Sequence, residues 1–180
     1  LSSGAENIDL DACGRCNVEV VRSITASAVA EAAFMIGALL ALFRRVPVVS
    51  ADGMRVGREL SGATIGMVGM VPSARSLAQL LQAFGASVVG YDPAVHASDP
   101  VWARWGVEPM SLRQLSEVSD GVCVQLSYFS RYHGLIGERF LPYCKPNQVL
   151  VSIAPSSLFD EVALADVVNW LARQSGASER

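Results

Sequence analysis

Residues 65–81 read IGMVGMVPSARSLAQLL, an apolar run that ends at a glycine and passes directly into a helical pattern. A strand, a glycine-bearing turn and a helix in immediate succession can hold the phosphates of a dinucleotide, because backbone N–H groups at the helix start face an anion. The fingerprint of that chemistry is G-x-G-x-x-G/A, with an acid about twenty residues on for the ribose hydroxyls. Gly69 fills the first position, Ala74 the third, and Asp92 closes the next apolar run. The second position, where bare backbone approaches the pyrophosphate, is Val71. Pro72 follows it and has no N–H to offer, although proline suits the first turn of a helix. Val71, Pro72 and Ser73 therefore keep the architecture of the turn and alter its phosphate-facing surface. Arg75, one turn into the helix, is a cation within reach of an anion; long cationic side chains ordinarily stay in solvent.

The other reactive residues are scattered. Cys13 and Cys16 form CGRC, the spacing of redox and zinc sites, but Cys123 and Cys144 lie far along the chain and a zinc site needs about four ligands. The plain reading is reduced thiols of a cytoplasmic protein, with redox activity at Cys13 and Cys16 as the alternative and no metal. His96 and His133 stand alone in polar stretches, and no serine–histidine pair is evident. At the carboxyl ends of the apolar runs lie Val71, Ser73, Asp92, Ser127, Tyr128, Ser152 and Ser156: a hydroxyl-rich rim with one acid and no obvious base, where Asp92, Tyr91 or Tyr128 could act in acid–base work.

These residues must be positioned by alternating elements. The pattern predicts strands at 17–21, 64–70, 87–92, 121–128 and 148–155, and helices at 25–46, 73–84, 111–118 and 160–174. Residues 50–60 read as a connector, 93–106 mostly as loop, and 132–144 as a helical turn or two. Nearly continuous apolar strands separated by helices describe a parallel sheet covered on both faces. Residues 32–43, AAFMIGALLALF, are apolar throughout but fall short of the ~20 residues a membrane span needs. A helix apolar on nearly every side must be covered on every side. A second copy of the chain, packed on 27–45, is the expected cover.

The chain has 180 residues, 51% hydrophobic and 17% charged, with a net charge of −3 and no basic cluster. That composition excludes disorder and argues against a nucleic-acid partner.

Taken together, these segments resemble the NAD-binding domain of the D-isomer-specific 2-hydroxyacid dehydrogenases. GAENIDLDAC (4–13), SAVAEAAFMIGALLALFRR (27–45), ELSGATIGMVG (59–69), AFGASVVGYDP (83–93), the 111–146 stretch and VLVSIAPSSLFDEVAL (149–164) follow the family's order with hardly a gap. The resemblance implies an α/β fold: a Rossmann-like, doubly wound parallel sheet in three αβα layers, lacking most of the substrate domain. Residues 1–24 then read as a remnant of the substrate-domain connection and 25–180 as the nucleotide-binding-type domain. It also implies NAD(P) as cofactor, held around Gly69, Val71, Pro72, Ser73, Asp92, Ser127 and Ala154, and a homodimer built on the 27–45 helix.

The departures fall on the chemistry. The family's catalytic arginine aligns with Pro155, its neighbouring asparagine with Ser152, its fourth-strand histidine with Gln125 and the following proline with Ser127. The family's later catalytic acid and histidine are expected beyond residue 180. Hydride transfer to a keto acid needs a general acid on the carbonyl and a cation on the carboxylate, and these residues supply neither. The expectation is a dehydrogenase-derived domain with a degenerate cofactor site, its grip on NAD(P) weakened or lost. It would serve as a repurposed or accessory homodimer with a small-molecule crevice. Two alternatives stay open: the NAD-binding portion of an active oxidoreductase completed by other segments, and a non-redox enzyme on the same fold.

Overall fold

A computed structural model describes residues 8–21, 25–46, 48–54 and 57–177, with side chains described as far as residue 169. Positions 4–7 of the first matching stretch, 55–56 of the connector and the side chains that close the last helix lie outside the described residues.

Five strands, β1 (Thr64–Val68), β2 (Ser87–Tyr91), β3 (Glu108–Pro109), β4 (Gly121–Val124) and β5 (Val149–Ser152), form one sheet in the order β3-β2-β1-β4-β5. Every pairing is parallel, with Gly66 opposite both Val89 and Val122 at the centre. Side chains alternate across the sheet. Ile65, Met67, Val88 and Cys123 join one core with helices α2 (Ala28–Phe43), α3 (Pro72–Ala83) and α4 (Pro100–Trp105). Val68, Val89, Val122 and Val124 join the opposite core, with α5 (Leu112–Val118) and the base of α6 (Glu161–Ala177). Two cores on two faces explain why the strands read as continuous apolar runs. The doubly wound three-layer expectation holds.

Local signals set the boundaries. Ser111 Oγ accepts from Gln114 N–H and the Gln114 side chain accepts from Ser111 N–H, a capping box that starts α5. Asp160 Oδ1 accepts from the N–H groups of Val162 and Ala163 and starts α6.

Several expectations need correction. Residues 17–21 are not a strand: they follow the short helix α1 (Leu10–Arg15) as irregular chain. The stretch 93–106 contains α4, capped by Asp99, opened by Pro100 and ended by left-handed Gly106. The two-residue β3 behind it lies at the sheet edge. β4 stops at Val124, so Ser127 and Tyr128 belong to an exposed loop and not to the strand.

Helix α2 buries Ala28, Ala32, Met35, Ile36, Leu39 and Phe43, a stripe at spacings of three and four. Its other face leaves Val29 73% and Phe34 60% exposed, alongside Ala30, Ala33, Gly37 and Ala41. Among the described residues no helix is long and apolar enough to cross a membrane.

Candidate functional site

The chain reverses direction across the sheet between β1 and β4, and the carboxyl ends of these strands are where an open α/β sheet places its ligand. Gly69 lies there with φ +106°, donating its N–H to Tyr91 O at 2.8 Å. A Cβ on Gly69 would sit 2.7 Å from the backbone of Leu126. Glycine is thus required at the first fingerprint position by the protein's own backbone.

Val71, at the second position, differs in kind. It is the N-cap of α3 with φ −75° and ψ 168°, ordinary extended backbone that any residue adopts. Its side chain makes no capping hydrogen bond, and Pro72 follows as the first helical residue. Glycine here serves only a ligand's approach, so valine leaves the fold undisturbed. Ala74, the third position, is fully buried in the α2–α3 core, where a small residue lets the helix approach the sheet.

Ser73 is 1% exposed, and its Oγ donates to Gln125 Oε1 at 3.1 Å. Gln125, 4% exposed, also directs its Nε2 at Met67 Sδ, 3.9 Å away. The bond ties the first turn of α3 to the first residue beyond β4. Its members face each other, so the Ser73 hydroxyl is not offered to the crevice.

Asp92 follows β2 directly. Its Oδ2 accepts from Met70 N–H at 2.7 Å and its Oδ1 from Ala94 N–H at 2.8 Å. The carboxylate therefore braces the glycine turn while opening onto a cavity of about 720 Å³. Tyr91, His96, Trp102, Met110 and Gln114 share that cavity. Burial pushes the Tyr91 hydroxyl above its ordinary value, helped by Asp92 and Tyr132 and opposed by Arg139. Tyr91 is protonated at neutral pH and can only donate from its O–H or accept; it is no base.

The remaining rim residues stand apart. Ser127 and Tyr128 are exposed, Ala154 is half-buried against the second core, and Ser152 Oγ accepts from Ala154 N–H at 3.1 Å. Pro155 opens a 3-10 turn over 156–158 and carries no cation to this edge. The sequence reading does not single out an aromatic group in the loop after β4: Arg131 lies 4.9 Å from the Phe129 ring centre and 4.7 Å from that of Tyr132, whose hydroxyl it also meets. The signal, FSRY at 129–132, is legible only once the turn brings the rings to one guanidinium.

Cys13 and Cys16 occupy the last turn and C-cap of α1. Reactive C-x-x-C cysteines are placed instead at a helix N-terminus. Burial raises the thiols of Cys123 and Cys144. Among the described residues no three His, Cys, Asp or Glu converge as metal ligands.

A parallel sheet in this order, with a glycine turn running into α3 and an acid after β2, defines a dinucleotide-binding-type α/β domain. The family profile described as D-isomer specific 2-hydroxyacid dehydrogenase, NAD binding domain, matches residues 37–172. The chain belongs to this family. D-3-phosphoglycerate dehydrogenase of Mycobacterium tuberculosis (strain ATCC 25618 / H37Rv) is 34% identical over 173 residues, covering 92% of this chain and 32% of that protein. Its Homo sapiens counterpart is 29% identical over 170 residues, with 90% and 32% covered. Among solved structures, the pyruvate reductase of Chlamydomonas reinhardtii superposes with a TM-score of 0.75 at 27% identity, covering 93% of this chain and 51% of that one. The apo D-lactate dehydrogenase of Escherichia coli gives 0.77 at 24%, with 93% and 54% covered, a likeness of fold. The chain spans about a third of the length of the curated relatives it matches.

Proposed function

We propose that this chain is a dehydrogenase-derived domain that no longer transfers hydride and that works as a homodimer with a small-molecule crevice. The observation that carries the reading is the turn itself. Val71 places an isopropyl group, and Pro72 a ring without an N–H, where a pyrophosphate needs bare backbone and donors. The residues present do not fit NAD in its customary pose. Pro155, Ser152 and Gln125, at positions where the family carries its arginine, asparagine and histidine, remove the groups that would orient and polarise a keto acid.

The exposed apolar face of α2 around Phe34 supports self-association, because a surface of that kind gains from being covered. The free thiols of Cys13, Cys16, Cys123 and Cys144 suit a reducing cytoplasm.

Calorimetric titration with NAD+ and NADH tests the reading. Heat near the detection limit up to millimolar cofactor is the expected result. Micromolar affinity would overturn it and favour a second reading, a cofactor-binding portion of a working 2-hydroxyacid oxidoreductase. One observation speaks for that alternative: Asp92 keeps its place after β2 beside the turn, with a cavity in front of it.

A further inference from the structure

A second cavity of about 470 Å³ opens on the other side of the α3 start, between the beginning of α2, the first turns of α3 and the end of α4. It shares no lining residue with the cavity at Asp92. Its apolar floor is Ala28, Met70 and Pro72, its aromatic wall Trp105, and its polar edge Arg75 with Ser76. No carboxylate lines it.

Arg75 makes no ion pair, hydrogen bond or ring contact among the described residues. Arg113, by contrast, is held by Glu117 at 2.8 Å and lies over Tyr143. The indole N–H of Trp105 is also without an acceptor in the described chain, whereas that of Trp102 donates to His96 O at 2.9 Å. An unpaired guanidinium, a hydroxyl and an indole donor around an apolar floor leave donors and no anionic acceptor.

We infer that this cavity binds a small organic anion: one carboxylate or phosphate group on an apolar, ring-sized body. The guanidinium takes the anion in a forked hydrogen bond, Ser76 Oγ adds a donor, and the body lies on Trp105 and Met70. The site borders the glycine turn through Met70 and Pro72 and shares no lining residue with the cavity at Asp92.

Titration of the 180-residue chain with benzoate, phenyl phosphate and the neutral benzyl alcohol, followed on the indole N–H resonances, tests this. Trp105→Phe assigns the Trp105 signal. The expected result is a saturable shift of that signal with one or both anions, no saturation with benzyl alcohol, and affinity weakened about tenfold or more in Arg75→Gln. His96→Ala, in the cavity at Asp92, should leave the response unchanged, which separates this site from that cavity. Absence of saturation with both anions, an equal response to the alcohol, or an undiminished response in Arg75→Gln would overturn the inference. Arg75 is exposed on the helix surface, so its replacement leaves the fold intact, as a thermal melt verifies.

Discussion

Ser73 Oγ, in the first turn of α3, donates to Gln125 Oε1, the first residue past β4, across the point where the sheet reverses its winding. Both residues are buried, so neither can exchange this partner for water. Removing one leaves the other unsatisfied at a cost of about 1–2 kcal/mol. Ser73→Ala and Gln125→Leu should therefore each lower the melting temperature, while the double variant loses less than the sum. A coupling of about 1 kcal/mol in denaturant unfolding is expected; strict additivity would show that the bond contributes nothing.

Gly69 and Val71 make opposite predictions from neighbouring positions. Gly69→Ala forces a Cβ into the Leu126 backbone at φ +106°, and should destabilise by roughly 2–4 kcal/mol or prevent folding. Val71→Gly should change stability by only about 0.5 kcal/mol, since glycine is a better N-cap than valine. If bulk and the absent amide are what exclude pyrophosphate, Val71→Gly combined with Pro72→Ala should bind NADH measurably more tightly than the parent. Calorimetry reads this directly, and an unimproved double variant argues that the loss lies elsewhere in the crevice.

Self-association through α2 predicts that Phe34→Arg converts a dimer to a monomer in sedimentation velocity, with a helical circular-dichroism signal unchanged. Ala38 is a poorer probe, because it already packs partly against the chain's own core. A monomeric parent, or a dimer indifferent to the charge at Phe34, removes this helix from the interface.

Asp120 supplies an acid-sensitive contribution. Burial alone would raise its carboxyl, but Thr64 N–H at 2.9 Å, Lys145 at 3.0 Å and Arg58 at 3.8 Å together hold it below the ordinary carboxylate value. Stability from a depressed acid is fully present above its unfolded pKa of about 3.9 and is lost as pH falls through the folded value. Asp120→Asn should cost about 1 kcal/mol at neutral pH and flatten the decline in melting temperature below about pH 4. A parallel acid limb in variant and parent would refute this.

The core strands were legible because each is buried on both faces and so nearly free of polar residues, as in β1 and β4, whose successive residues sit in separate cores. The α4 region does not stand out in the sequence although Asp99, Pro100 and Gly106 supply cap, first turn and stop. The six residues between them are too few for a helical period to emerge. Conversely, 17–21 alternates like a strand, but no neighbouring strand completes it among the described residues. Local pattern offers a strand; only a partner makes one.

The sequence by itself determined the alternation of the main strands and helices from β1 to α6, the family and the substitutions at Val71, Pro72 and Pro155, because these depend on residue identity along the chain. Only the tertiary structure decided what each position is for. It set Gly69 against the Leu126 backbone, turned Ser73 inward to Gln125 and spent two Asp92 acceptors on Met70 and Ala94. Three of those relationships, Met70 with Asp92, Ser73 with Gln125 and Gly69 with Leu126, join residues 22 to 57 positions apart. Such pairs meet only when the parallel crossovers close, and no local periodicity records which side chains will face each other across them.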